Sequence, residues 1–249
     1  MLTLANPAKF MALSARLLPW LLGLTVVAFA AGLPLALVFS PPDYQQSEAV
    51  RILYIHVPAA ILAPLVYAGM AAAAFSHLVW RAPLADIAAE ALAPMGAVLT
   101  AIALATGMLW GKPMWGAFWV WDARLTSVLV LFFIYLGVIA LRQSIEDQAK
   151  AARASEILTL VGVIDLPIIH FSVYWWNTLH QRSSLFRAGG PSIYGSMLWP
   201  LFIMILAYTA LVATALLLRM RTMIIRRRIK SSAGREGSRA VVREADAHA

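Results

Sequence analysis

Four tryptophans, a phenylalanine, one carboxylate and two cations are packed between Trp110 and Thr126, WGKPMWGAFWVWDARLT. Trp110, Trp115, Phe118, Trp119 and Trp121 offer a broad apolar surface, since aromatic rings bury about 150–250 Å2 each and pack offset or edge-on against a flat partner. Lys112 and Arg124 stand beside them as anchors for carboxylates, Arg124 through a bidentate fork. Asp122 would repel a carboxylate and suits a structural part, either holding Arg124 or accepting N–H groups where a helix begins. The chemistry this favours is the binding of a large flat ligand with anionic edges, such as a porphyrin. A second reading is an aromatic belt, because tryptophan is enriched where membranes meet water; the density of the cluster speaks against a belt alone.

Two of the five histidines extend this reading. His56 (LYIHVPAA) and His180 (WWNTLHQ) fall near the ends of two different apolar runs, at the level of the aromatic segment. A neutral imidazole is a common metal ligand, and a histidine pair can fill both axial positions of heme iron. Either one alone would be read as a hydrogen-bonded structural residue; together at matched depth they favour ligation. His77 falls at the opposite end of the second run and His248 in the tail. His170 is a competitor because Asp165 shares its run, and ionisable groups inside a membrane are candidates for function. The structural alternative has both hydrogen-bonding to neighbouring helices, helped by a local break at Pro167. The chain has no cysteine, so a bound heme has no thioether or thiolate partner in it.

These residues must be positioned by membrane helices. Of 249 residues, 61% are hydrophobic and 13% charged, about half the charge of an ordinary soluble domain. Six predominantly apolar runs, 17–39, 52–79, 88–109, 125–141, 157–176 and 193–218, suit helices that need roughly 20 apolar residues to cross a bilayer. A β-barrel is excluded, because its strands alternate and are about ten residues long. Ala28-Phe29-Ala30 resembles a signal-peptidase site, but the 23 uncharged residues of the first run exceed the usual signal core of about 7–15, so that span is expected to be retained.

Lysine and arginine set the orientation. With the N-terminus inside, the inner segments carry Lys9, Arg16, Arg81, Arg142, Lys150, Arg153 and nine more between Arg219 and Arg243, against Arg51, Lys112, Arg124, Arg182 and Arg187 outside. The expected architecture is an all-α, six-span integral membrane protein with both termini cytoplasmic and three short outer connections, 40–51, 110–124 and 177–192. Residues 1–225 form one transmembrane domain. The polar, basic stretch 226–249 is expected to be a disordered tail whose start meets anionic lipid.

Trp115-Gly116-Ala117-Phe118-Trp119-Val120-Trp121-Asp122 resembles the tryptophan-rich "WWD" motif of heme-handling proteins in cytochrome c maturation. With YIHVPAA, WGKPMWG, WDARLTS and LPIIHFSVYWWNTLHQ, the resemblance narrows to the CcmC type and covers Pro41 to about Gln181. It implies a six-helix protein of the bacterial inner membrane that binds heme b non-covalently on the periplasmic side. It also implies presentation of that heme to the chaperone CcmE, and association with CcmA, CcmB and CcmD. The axial ligands carry over to His56 and His180, and the platform to Trp115, Trp119 and Trp121 with Asp122. Phe118 departs from relatives that carry tryptophan there, keeping the aromatic face without the indole N–H.

Three other functions fit parts of the pattern. A b-type electron-transfer cytochrome would place its histidine pairs inside helices, often for two hemes, whereas one matched pair occurs here. A heme permease subunit of an ABC-type exporter would need polar groups through several spans, and Asp165 and His170 share one. An ATPase is not supported. Gly107 to Pro113 has three residues between its glycines where a phosphate loop has four, and Pro113 stands where Ser or Thr would hold magnesium. No catalytic site is expected in the chain.

Overall fold

The computed structural model describes residues 6–180, 184–185 and 187–247, with side chains described through residue 232. Gln181, Arg182 and His248, and the side chains of Arg235, Arg239 and Arg243, lie outside the described residues. Within them are seven α-helices and no strand: α1 Pro7–Pro34, α2 Leu53–Trp80, α3 Pro83–Trp115, α4 Ala123–Ser144, α5 Gln148–Gly162, α6 Asp165–Trp175 and α7 Gly195–Ala247. They make six spans, because α5 and α6 divide a single crossing, Gln148–Trp175. All-helical crossing follows from chemistry, since lipid offers no partner for an unpaired N–H or C=O. The chain is a multi-pass membrane protein.

The helices overrun the apolar runs that predict them. α1 begins ten residues before its run, capped by the Asn6 side chain accepting from Ala8 N–H at 2.8 Å. The α5–α6 break lies at residues 163–164, where Pro167 has no N–H to offer the Val163 carbonyl. The basic stretch after Arg226, expected to be disordered, continues α7 as helix to Ala247; its arginines, alanines and lysine are good helix formers.

Short turns fix the topology. Arg81, in the left-handed region at φ 50°, ends α2 with its N–H on the His77 carbonyl at 2.8 Å. Pro83 then opens α3, where a missing N–H costs nothing. The resulting antiparallel α2–α3 hairpin is the most extensive helix pairing. Two buried tyrosines bind the centre. Tyr135 of α4 donates to the Ala63 carbonyl and Tyr67 of α2 to the Thr159 carbonyl, both at 2.8 Å, with their rings edge-on at 5.1 Å. Each passes against a glycine: a Cβ at Gly96 would lie 1.9 Å from Tyr135, and one at Gly162 2.1 Å from the Tyr67 hydroxyl.

At the end of the bundle away from His56, an ionic network joins five helices. Arg142 of α4 meets Asp86 of α3 at 2.7 Å and Glu156 of α5 at 3.5 Å. Arg227 of α7 meets Asp86 at 2.8 Å and Glu90 at 2.9 Å. His77 of α2 hydrogen-bonds Glu156 at 2.6 Å. Removing one partner of a buried pair strands the other charge, at about 3–5 kcal/mol. Arg142→Ala should therefore lower the thermal unfolding midpoint of the detergent-solubilised protein far more than Glu48→Ala, which removes an exposed partner of Arg51 at a cost of about 1 kcal/mol or less. Equal shifts in the two variants would remove the network from the account of stability.

Candidate functional site

The site is built on the last turns of α3. Glycine and proline commonly end helices, yet α3 runs unbroken through Gly111 and Pro113 to Trp115. Pro113 forfeits one backbone bond close to the helix end, where the loss is smallest. Gly116, at φ 76°, supplies the left-handed stop, its N–H on the Lys112 carbonyl at 3.0 Å. Residues 117–122 are non-helical. The reason is Asp122, whose carboxylate accepts the Leu125 N–H at 2.7 Å and so starts α4 at Ala123.

Two tryptophans thus belong to a helix and two to a loop. Trp119 and Trp121 meet edge-on at 5.4 Å. The Trp119 indole N–H is buried with no hydrogen-bond partner among the described residues, while Trp121 is 76% exposed. The Trp110 indole donates to the Gln46 side chain at 2.9 Å, tying α3 to the α1–α2 connection. That connection braces itself, with the Asp43 carboxylate accepting the Gln45 and Gln46 N–H groups and Arg51 donating to the Leu37 carbonyl.

Both candidate ligands come to this end. His56, in the first turn of α2, lies against α3 with its ring 5.7 Å from Trp110, edge-on. Its Nδ1 is 3.0 Å from the Thr106 hydroxyl. Gly107 admits the ring, since a Cβ there would lie 3.1 Å from His56 Cε1. His180 follows α6 on a non-helical segment, its ring 4.8 Å from Trp115. Its Nδ1 is 3.1 Å from Asp122 Oδ2, and its backbone N–H donates to Thr178 Oγ1 at 2.8 Å. The two imidazoles thus lie against tryptophans five residues apart on α3, Trp110 and Trp115.

Electrostatics favour a neutral imidazole beside an ionised carboxylate. Burial pushes His180 below the ordinary histidine range, although Asp122 pulls the other way. Burial would raise Asp122, but the Leu125 N–H, His180 and Thr178 outweigh it and hold the carboxyl low. A neutral imidazole keeps a nitrogen lone pair for a metal.

The remaining sequence candidates separate. Arg124 reaches α6, donating to the Ile169 and His170 carbonyls at 3.1 and 3.3 Å and to Ser172 Oγ at 3.4 Å. Lys112 is exposed, donates to the Gly116 carbonyl at 3.0 Å and lies 5.4 Å over the Phe118 ring. Asp165 is buried with Oδ2 unpartnered among the described residues, and the exposed His170 ring packs edge-on against Phe171 at 4.7 Å. Sequence reasoning missed Thr106, Gly107 and Gln46. Nothing in the sequence set Thr106 apart, since the same run also holds Thr100.

Comparison with known proteins converges on one group. The family described as "Heme exporter protein C" matches residues 1–235. The chain is 53% identical over 239 residues to a heme exporter protein C of Bradyrhizobium diazoefficiens, covering 96% of this chain and 90% of that protein. It is 50% identical over 223 residues to the Escherichia coli K12 protein of the same name, covering 89% of each. The Paracoccus denitrificans protein of that name is 40% identical over 233 residues, covering 93% and 96%.

Gly107 tests the packing of His56. Alanine in place of glycine inside a helix ordinarily stabilises by about 1 kcal/mol. Gly23→Ala in α1, where a Cβ meets nothing within 4 Å, should show that gain in thermal unfolding. Gly107→Ala should not, and the His56 ring signals should shift in NMR spectra. A full gain with unshifted signals would rule out the close approach.

Proposed function

The chain belongs to the heme exporter protein C family, and on that premise we propose that it holds heme b without a covalent bond and presents it to the chaperone CcmE. In this reading His56 and His180 are the axial ligands, and Trp110, Trp115, Phe118, Trp119 and Trp121 are the surface against which the porphyrin lies. The observation that carries it is the pair of imidazoles. Drawn from two separate elements, each has Nδ1 occupied by a neighbour, Thr106 or Asp122, which leaves Nε2 for iron. The donor set fits heme, since two neutral nitrogens and an aromatic surface match its two demands.

The positive-inside rule supports the orientation. The end opposite His56 carries Arg142, Arg221, Arg227 and the basic continuation of α7, which suits the cytoplasmic face of a bacterial inner membrane. The histidines then face the periplasm, where the covalent acceptor CcmE works. CcmA, CcmB and CcmD are the proposed membrane partners, and any ATP hydrolysis is theirs.

Of the two cationic candidates, Lys112 is the better propionate partner, since its ammonium is exposed while Arg124 is engaged with α6. Non-covalent holding suits a protein that gives its ligand away. Its contribution to the attachment is orientation, because fixing a reactant removes much of the entropic barrier to the acceptor's own bond.

Replacing either histidine by alanine should strip most of the heme from the purified protein and stop covalent loading of CcmE, read by absorption spectra and by heme staining of CcmE. Wild-type heme content and loading in both variants would overturn the assignment. Heme quantitation should give one heme per chain; two, with separate midpoint potentials, would favour an electron-transfer cytochrome.

A further inference from the structure

The two imidazoles are held by chemically different neighbours. Thr106 Oγ1 lies 2.6 Å from the Ile102 carbonyl of the preceding turn. A carbonyl only accepts, so the hydroxyl proton points there, and the Thr106 oxygen turns a lone pair toward His56. The 3.0 Å contact to Nδ1 then requires the proton to reside on Nδ1, leaving the Nε2 lone pair free. The same tautomer follows for His180 by another route, because the Asp122 carboxylate takes the Leu125 N–H on Oδ1 and turns its other oxygen, an acceptor, to His180 Nδ1.

The consequence differs at the two positions. A carboxylate draws on the Nδ1 proton, gives the ring imidazolate character and makes Nε2 a stronger donor to a metal. A neutral hydroxyl does this weakly. The stiffness of the mounts differs as well: His56 sits in a helix against Gly107 and Thr106, and His180 sits on a non-helical segment.

We infer that the site is built asymmetrically: Thr106 positions His56 and fixes its tautomer while leaving it the weaker ligand, so that the His56–iron bond yields first when heme passes on. This rests on the reading of His56 and His180 as heme ligands. In the exchange, the lone pair of an incoming donor forms the new bond to iron as the Nε2 lone pair of His56 withdraws. No electron or proton is transferred. Heme is then left held by His180, the ligand on the surface segment, with one axial position turned over to the acceptor.

Carbon monoxide can stand in for the incoming donor. The full-length protein, reduced with heme bound and carrying 15N-labelled histidine, should form a diamagnetic adduct in which NMR finds His180 on the iron and His56 released. Carbon monoxide should bind about two- to tenfold faster in Thr106→Val, the effect of one lost hydrogen bond, and at the wild-type rate in Thr106→Ser, which keeps the hydroxyl. In heme-free protein, His56 should carry its proton on Nδ1 in wild type and Thr106→Ser, and hold it there less firmly in Thr106→Val. Retention of His56 on the iron, an Nε2 proton on His56 in wild type, or identical rates in the valine and serine variants would each overturn the inference. Unchanged heme spectra in His56→Ala and His180→Ala would instead overturn the ligand assignment beneath it, whatever the tautomers prove to be.

Discussion

An ionised carboxylate inside a bundle that lies in lipid is costly, and a counter-charge that meets it offsets much of that cost. Asp86, Glu90 and Glu156 meet theirs in Arg142 and Arg227, with His77 closing the set. Because those six side chains come from α2, α3, α4, α5 and α7, the pairing fixes the relative height of five helices at once. The opposite end is joined more sparingly: Trp110 to Gln46, His56 to Thr106, Arg124 to α6, and His180 to Asp122. A bundle clamped by charge at one end can present a receptive surface at the other without losing register.

Between the two ends, α3 is the common reference. It carries Asp86 and Glu90 near its start, Gly96 beneath Tyr135 at mid-height, and Thr106, Gly107, Trp110 and Trp115 at its far end. His56 and His180 come from elements distant in sequence, yet each ring lies against a tryptophan of this one helix. Their relation to each other is therefore set by the internal geometry of α3, at about 1.5 Å and 100° per residue.

Much of this was legible in the sequence. The six runs are the six spans, because apolar length is a direct requirement of the bilayer, and Pro167 marked the division of the fifth crossing. The meeting of His56 and His180 at one end follows from topology. What was not legible has definite physical causes. Gly111 and Pro113 look like breakers, but the last turn of a helix has few backbone bonds left to lose, so α3 passes through them. Asp122 was expected to cap α4 or hold Arg124. It does the first, and its second oxygen goes to His180, because a carboxylate at a helix start still has one oxygen to spare. Thr106 was silent because a threonine in an apolar helix commonly returns its proton to the preceding turn, and nothing in the sequence says what its lone pair meets. The ionic network was silent because its members are drawn from five helices whose pairing only the fold decides.

The left-handed turn at Gly116 divides the aromatic motif into two mechanical classes. Upstream, Trp110 and Trp115 are fixed by the backbone bonds of a helix; downstream, Trp119 and Trp121 lie on a non-helical segment, their rings edge-on to each other. The motif tolerates changes of length very unequally as a result. One residue inserted between Trp110 and Trp115 would swing the latter by about 100° around the axis and lift it by about 1.5 Å, taking it away from His180 while Trp110 stayed beside His56. The same insertion between Trp119 and Trp121 would be absorbed by the loop, as short connections commonly absorb added length at small entropic cost. The spacing on the helical side of Gly116 is thus a measured distance, and the spacing on the other side is slack.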